Sequence, residues 1–255
     1  MRIALLISGH CRTFVFQEQR RFFKHFLKSL KKQSEVDVYL MLKVDDRLKT
    51  QQGIKNFKKM IKMLNPVYSI VFEKWRENND VYYSQMKMIQ HLCSKALNGV
   101  TLNGVTLNGV TANDTKKNKE YDFFIRIRPD LVLNSTIDLS KLSKRIYTSY
   151  KFDAIGNDQF IIMPKEFIQW ILNIPMYLEL YDKCPDYIIF NNVRSFVSQI
   201  VGSGIVREYK KIQTWNTKHD ILNPTNYWRE KEHFHPNENY VEELKKIIHY
   251  ETILD

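Results

Sequence analysis

The chain reads as an α/β protein, a parallel sheet with helices on both of its faces. Three observations predict this. Short apolar runs of strand length alternate with amphipathic stretches of helical period from the N-terminus onward. Hydrophobic residues make up 44% of the 255 and aromatics 13%, enough for a core and too many for a disordered chain. With 8 Gly and 7 Pro the fold is not dominated by loops. A length near the upper limit for one hydrophobic core favours a single α/β domain over residues 1–255.

The first element, Arg2–Ile7, is a short apolar run closed by Ser8-Gly9 and reads as a buried strand. Phe22, Phe23, Phe26, Leu27 and Leu30 then recur at helical spacing, with Arg20, Arg21, Lys24, Lys28 and Lys31 between them. That is an amphipathic helix with a basic outer face. Val36–Val44 is a second strand ending in Asp45-Asp46, and a helix near Ile54–Leu64 stops before Pro66. Val67–Phe72 is the third strand, and Tyr82, Met86, Ile89, Cys93 and Ala96 mark the next helix. Leu97–Thr111 then repeats Leu-Asn-Gly-Val-Thr three times, too short a period for a solenoid and rich in turn-forming Asn-Gly. Residues 98–119 therefore read as a low-complexity surface-loop insert. Beyond it Tyr121–Ile127, Arg145–Tyr150 and Gln159–Met163 read as strands, and Pro164–Ile174 and Ile188–Val201 as helices. Ile205–Tyr209 reads as a last strand, and Tyr240, Leu244, Ile247 and Ile248 as a closing amphipathic helix.

Composition narrows the partners. The net charge of +11 can draw nucleic acid, an anionic membrane or phosphorylated small molecules. The lysines are spread through amphipathic helices rather than gathered in one run, so a solvated basic surface is the plain alternative. Cys11, Cys93 and Cys184 are odd in number, far apart and without metal-ligand spacing, and read as reduced, buried small hydrophobes. The N-terminal apolar run is too short for a signal peptide, and no window approaches the ~20 apolar residues of a bilayer span. The expected location is the cytoplasm, that of the host if the protein is viral. No Walker A loop, zinc knuckle, Gly-x-Ser-x-Gly elbow or Rossmann Gly-x-Gly-x-x-Gly occurs.

In parallel sheets ligands sit beyond the C-terminal ends of the strands, where Ser8-Gly9 and Asp45-Asp46 fall. The segment Tyr121-Asp-Phe-Phe-Ile-Arg-Ile-Arg-Pro-Asp130 carries the strongest chemical signal. Alternation along a strand puts Arg126 and Arg128 on one side, Pro129 ends the pairing, and Asp130 lands at the break. Two adjacent guanidiniums repel unless an anion sits between them, and a diphosphate matches their forks. Asp130 has the oxygens to hold a divalent cation bridging that diphosphate. The alternative is a structural Arg–Asp ion pair at a strand end. His233 and His235 would share one side of a strand, as a metal site needs, or are surface residues, and both readings apply to His219.

Three motifs occur in order: Ser8-Gly9-His10-Cys11-Arg12-Thr13-Phe14, then Tyr121 to Asp130, then Asn157-Asp158-Gln159-Phe160. Together they resemble the nucleotide-sugar glycosyltransferases of the GT-A type. They are similar above all to a set from large DNA viruses and bacteria with Ser-Gly-x-x-Arg-Thr-Phe, Tyr-Asp-x-x-x-Arg-x-Arg-Pro-Asp and Asp-Gln-Phe. The resemblance implies a GT-A-like, mixed and mostly parallel sheet flanked by helices. It implies hexosyl or pentosyl transfer from a nucleotide-diphosphate-sugar donor to a hydroxyl on a glycan or glycoprotein. Ser8, Gly9, His10, Arg12, Thr13 and Asp45 would contact the nucleotide, although an ordinary turn with Thr13 as a helix cap is the alternative. Arg126, Arg128 and Asp130 would hold the diphosphate. Mn²⁺ or Mg²⁺ would lie on Asp130, with a C-terminal histidine, His233 or His235, as a further ligand.

Asp158, after a Gly156-Asn157 turn, is the candidate catalytic base; an Asx-turn cap is the alternative, and Asp153 and Asp186 are weaker candidates. Fungal Golgi mannosyltransferases carry an acidic residue before Pro-Asp, where this chain has Arg128, so the Asp-x-Asp pair is incomplete and Arg128 stands in for part of a cation's charge. Two further readings stay open: a basic nucleic-acid-binding protein, and an inactive sugar-nucleotide-binding module on the same fold.

Overall fold

A computed structural model describes residues 1–11, 14–76, 81–98, 120–133, 136–142, 146–149, 157–168, 172, 206–208, 214–216 and 237–254. The strands are β1 (Arg2–His10), β2 (Glu35–Lys43), β3 (Tyr68–Trp75), β4 (Phe123–Ile127), β5 (Leu131–Leu133), β6 (Ile146–Ser149), β7 (Asn157–Pro164), β8 (Val206–Glu208), β9 (Thr214–Asn216) and β10 (His249–Leu254). Among the described residues the helices are α1 (Gln17–Lys31), α2 (Gln51–Leu64), α3 (Val81–Asn98) and α4 (Tyr240–Lys245).

Eight strands form one sheet in the order β10-β3-β2-β1-β4-β7-β6-β8, and β5 pairs with β9 separately. Every neighbouring pair in the large sheet is parallel except the two made by β7, so β7 alone runs against the rest. The protein is thus α/β, with a mixed, mostly parallel sheet flanked by helices.

Strand alternation divides the core. Ile3, Leu5 and Ile7 of β1 and Phe123, Ile125 and Ile127 of β4 face α1, α2 and α4, meeting Phe23, Leu30, Phe57, Met60 and Leu244. Ala4, Leu6 and Phe124 face the other way, onto Met88, Ile89, Leu92 and Cys93 of α3. Central strands buried on both faces read as continuous apolar runs, which is why β1 and β2 stand out in the sequence. Cys11 and Cys93 are buried free thiols, as expected; Cys184 lies outside the described residues.

Several boundaries differ from the sequence reading. β1 does not close at Ser8-Gly9 but continues to His10, because its parallel pairing with β2 runs through His10 opposite Lys43. β7 opens at Asn157, so Asp158 is a strand residue rather than part of a preceding turn. The expected helix over Pro164–Ile174 begins as a 3-10 turn, Lys165–Phe167. The closing helix is short, and Ile247 and Ile248 lead instead into β10, which pairs with β3. β5 and β9 carry too few residues to register as periodic runs. Of the insert expected at 98–119, Asn98 closes α3 and residues 99–119 lie outside the described residues, as does the expected helix Ile188–Val201.

Candidate ligand crevice at the sheet's switch point

From β1 the chain passes to β2 and β3 on one side, and α3 then carries it back to β4 on the other side of β1. The connections after β1 and β4 therefore leave in opposite directions. Such a reversal opens a crevice beyond the C-terminal ends of the two strands. Ile7 lies opposite Ile127, so Ser8 and Gly9 are level with the chain leaving β4 at Arg128 and Pro129.

Gly9 has φ +146°, a conformation that L side chains rarely adopt, and a Cβ there would sit 2.8 Å from Cδ of Pro129. The close approach that the glycine permits is thus with the chain's own Pro129 ring. The turn that follows is tied down twice. The Leu131 amide donates to the Arg128 carbonyl at 3.2 Å, and Nε2 of Gln19 donates to the Leu131 carbonyl at 2.7 Å. Gln19 is fully buried. It was missed in the sequence, although a polar residue on the apolar stripe of α1 was the signal to follow.

Arg126 is fully buried, opposite Leu6 on one side and Ile161 on the other. It shares the α3 side of the sheet with Ser8, donating from Nε to Ser8 Oγ at 3.3 Å and from Nη2 to the Ser8 carbonyl at 3.4 Å. The strand ends at Ile127, so the alternation that was to set Arg126 and Arg128 side by side does not reach Arg128. Arg128 turns to Asp130 instead. Its Nε donates to Oδ1 at 2.9 Å and its Nη2 to Oδ2 at 2.6 Å, with both side chains largely withdrawn from solvent. A bidentate pair of this kind fixes the plane of the guanidinium.

One strand over, the Cys11 amide donates to the Lys43 carbonyl at 2.9 Å, and Asp45 accepts from the Arg47 amide and from its Nη1. Burial, reinforced by Asp45, pushes the Cys11 thiol well above its ordinary pKa, which keeps it neutral. β7 pairs antiparallel with β4, Phe160 opposite Ile127, so its first residues extend past the end of β4. Asp158 is thereby placed at the same end of the sheet.

Of the candidate residues, Ser8, Gly9, Arg126, Arg128 and Asp130 come together. His10 and Asp158 share that end of the sheet, and Asp45 stands at the neighbouring strand. Arg12, Thr13, His233 and His235 lie outside the described residues, as do Asp153, Asp186 and His219. Among the described residues no group of three His, Cys, Asp or Glu is placed to hold a metal ion. Both oxygens of Asp130 accept from Arg128, which leaves each a second lone pair that Mn²⁺ or Mg²⁺ could use.

No protein-family model and no curated protein matches the chain. Among solved structures it is similar to a glycosyltransferase involved in the glycosylation of the major capsid of PBCV-1. Identity is 11% and the TM-score 0.43, over 82% of this chain and 82% of that one. It is also similar to the apo-form glycosyltransferase GlyE of Streptococcus pneumoniae TIGR4, at 14% identity and a TM-score of 0.35, over 76% of this chain and 43% of that one. At this level of likeness the residues of the crevice have to decide function. No helix among the described residues is long and apolar enough to cross a membrane.

Proposed function

We propose that the protein is a glycosyltransferase that takes a sugar from a nucleotide-diphosphate-sugar donor to a hydroxyl of a glycan or glycoprotein acceptor. The supporting observation is the sheet's switch point, where the end of β1 meets the Arg128–Asp130 pair next to the buried Arg126. In this reading Asp130 takes one edge of the Arg128 guanidinium and so fixes its plane beside the diphosphate. Arg126 acts one step back, fixing Ser8 and so the strand end over which the nucleotide lies. Arg12, Thr13 and Asp45 complete the nucleotide contacts.

The acceptor oxygen bonds to the sugar's C1 as the bond from C1 to the diphosphate oxygen breaks. The leaving nucleoside diphosphate keeps the electron pair, and Asp158 takes the hydroxyl proton. Fixed positive charge at the leaving group lowers the barrier most, because it needs no reorganisation as the bond breaks. Arg128, its charge shared with Asp130, contributes to that field where a second acidic residue and its cation would otherwise stand. Mn²⁺ or Mg²⁺, held with help from His233 or His235, is the further arrangement to test.

A thermal-shift panel of UDP-, GDP- and dTDP-sugars, with and without Mn²⁺, identifies the donor. A ligand bound only to the folded state at a hundred times its Kd stabilises it by about 2.7 kcal/mol. Donor hydrolysis by Asp130→Asn and Asp158→Asn is expected to fall on the order of a hundredfold or more. If no nucleotide sugar raises the melting temperature and both variants hydrolyse donor as the parent does, the reading is wrong. Donor binding without hydrolysis would assign the chain to the inactive-module reading, in which the Arg128–Asp130 pair serves binding alone.

A further inference from the structure

We propose that the outer face of α1 and α2 is a docking surface for an anionic lipid bilayer. Lys24, Lys28 and Lys31 follow one another at spacings of four and three, a single stripe along α1, and all are exposed together with Lys32 at its C-terminal cap. These four lysines line an open groove with Leu27 and with Met63 of α2, so the groove runs between the two helices. On the solvent side of α2, Lys55 and Lys59 lie four residues apart and are exposed.

The two helices themselves carry almost no carboxylates, although Glu243 of α4 acts on Lys58 of α2. α1 carries only Glu18, in its first turn, and α2 carries none. Among the described residues none of the six lysines is in an ion pair, whereas Lys245 and Lys246 beside α4 pair with Glu242 and Glu243. A surface built for solubility intersperses both signs. A one-sign stripe on an amphipathic helix pair is instead what an anionic headgroup layer attracts, at about 1 kcal/mol per lysine near the membrane.

The face suits lipid better than nucleic acid. Phosphodiester recognition favours guanidinium forks and exposed rings that stack on bases. The groove itself is lined by lysines and no arginine, Arg20 and Arg21 standing one turn earlier on α1, and Phe22, Phe23, Phe26 and Phe57 all pack against the core. What the face offers is flexible point charges whose aliphatic stems flank Leu27 and Met63, a surface that adapts to a fluid array of headgroups. The crevice opens at the C-terminal edge of the sheet rather than on this face, so docking leaves it accessible.

The test is co-sedimentation of the full chain with phosphatidylcholine vesicles, and with vesicles containing about 30% phosphatidylserine, at ~0.1 M salt, where surface charge is only partly screened. The expected result is binding to the phosphatidylserine vesicles alone, weakening as salt rises. Lys28→Gln/Lys31→Gln/Lys59→Gln should lower the partition coefficient on the order of a hundredfold. Glutamine keeps the helix propensity, and an unchanged circular-dichroism melt confirms folding. Lys245→Gln/Lys246→Gln, which removes lysines already paired, should change binding little. Equal binding to both vesicle types, or a triple variant that binds like the parent, overturns the proposal. A short DNA duplex that strips the protein from vesicles at equal phosphate concentration also overturns it, in favour of nucleic acid. The outcome is independent of the transfer reaction, since a protein without transferase activity is expected to dock equally.

Discussion

Gly9 shows how a residue is legible for one reason and required for another. In the sequence it marks a strand end where backbone approaches a ligand. In the structure its φ of +146° and the Pro129 ring against its α-carbon make it part of the frame on which the crevice is built. Gly9→Ala should therefore destabilise the fold by about 2–4 kcal/mol, from backbone strain and overpacking together. Pro129→Ala removes the ring that the new methyl meets, so the double variant should be more stable than the sum of the single effects, by about 1 kcal/mol. Urea unfolding of the four proteins checks this, and strict additivity contradicts the contact. Arg126 is the converse case. Its position in the strand motif was visible, but not its complete burial against Ser8, because one strand's alternation does not report which strand lies beside it.

The elements behave as their local chemistry dictates. α2 starts where Thr50 accepts from the Gly53 amide and donates to the Arg47 carbonyl, a cap that leaves no space for a side chain at Gly53. Gly53→Ala should cost stability despite alanine's better helix propensity, readable as a fall in the unfolding midpoint. The contact between α3 and β3 carries a pH dependence. His91 hydrogen-bonds the Tyr68 hydroxyl at 2.6 Å, and its pKa is held down to about 4, by burial first and by Lys95 second, from an ordinary 6.5. Below pH 6.5 the unfolded chain takes up a proton that the folded chain refuses until about pH 4. Stability should therefore be full above pH 6.5, fall through that window by up to ~1.4 kcal/mol per pH unit, and lose nothing further from this group below it. His91→Gln keeps a polar partner for Tyr68 but does not titrate. Its stability, measured by urea unfolding at intervals across the window, should fall less steeply than the parent's; parallel curves would exclude His91 as the source.

At the scale of the molecule, the strand–helix alternation from β1 to α3 was legible because those strands are buried on both faces and each helix is amphipathic. That alternation suffices to place β1 and β4 at a switch point once β4 is known to pair with β1. The C-terminal strand was not legible. β10 buries Tyr250 between half-exposed neighbours, follows directly on the helical period of α4, and finds its partner in a strand far earlier in the chain. Its contribution is nonetheless global. It covers the outer edge of β3, its Leu254 carbonyl accepts from the Arg76 amide at 2.9 Å, and the hydroxyls of Tyr240 and Tyr250 both donate to Glu73. Removing residues 246–255 takes away that cover, together with the buried Ile248 and Tyr250, and leaves β3 with a row of unpaired backbone groups alongside Ile70, Val71 and Phe72. An uncovered apolar edge is a template for pairing with another chain. The truncated protein should therefore melt lower than the full chain and self-associate as concentration rises, seen by sedimentation velocity. Charged substitutions on β3 that point to solvent should suppress the association without restoring the melting temperature, because they block the edge but leave the lost burial unreplaced. A truncated protein that stays monomeric and melts with the parent would show that β10 is an ornament on the sheet rather than its closing strand.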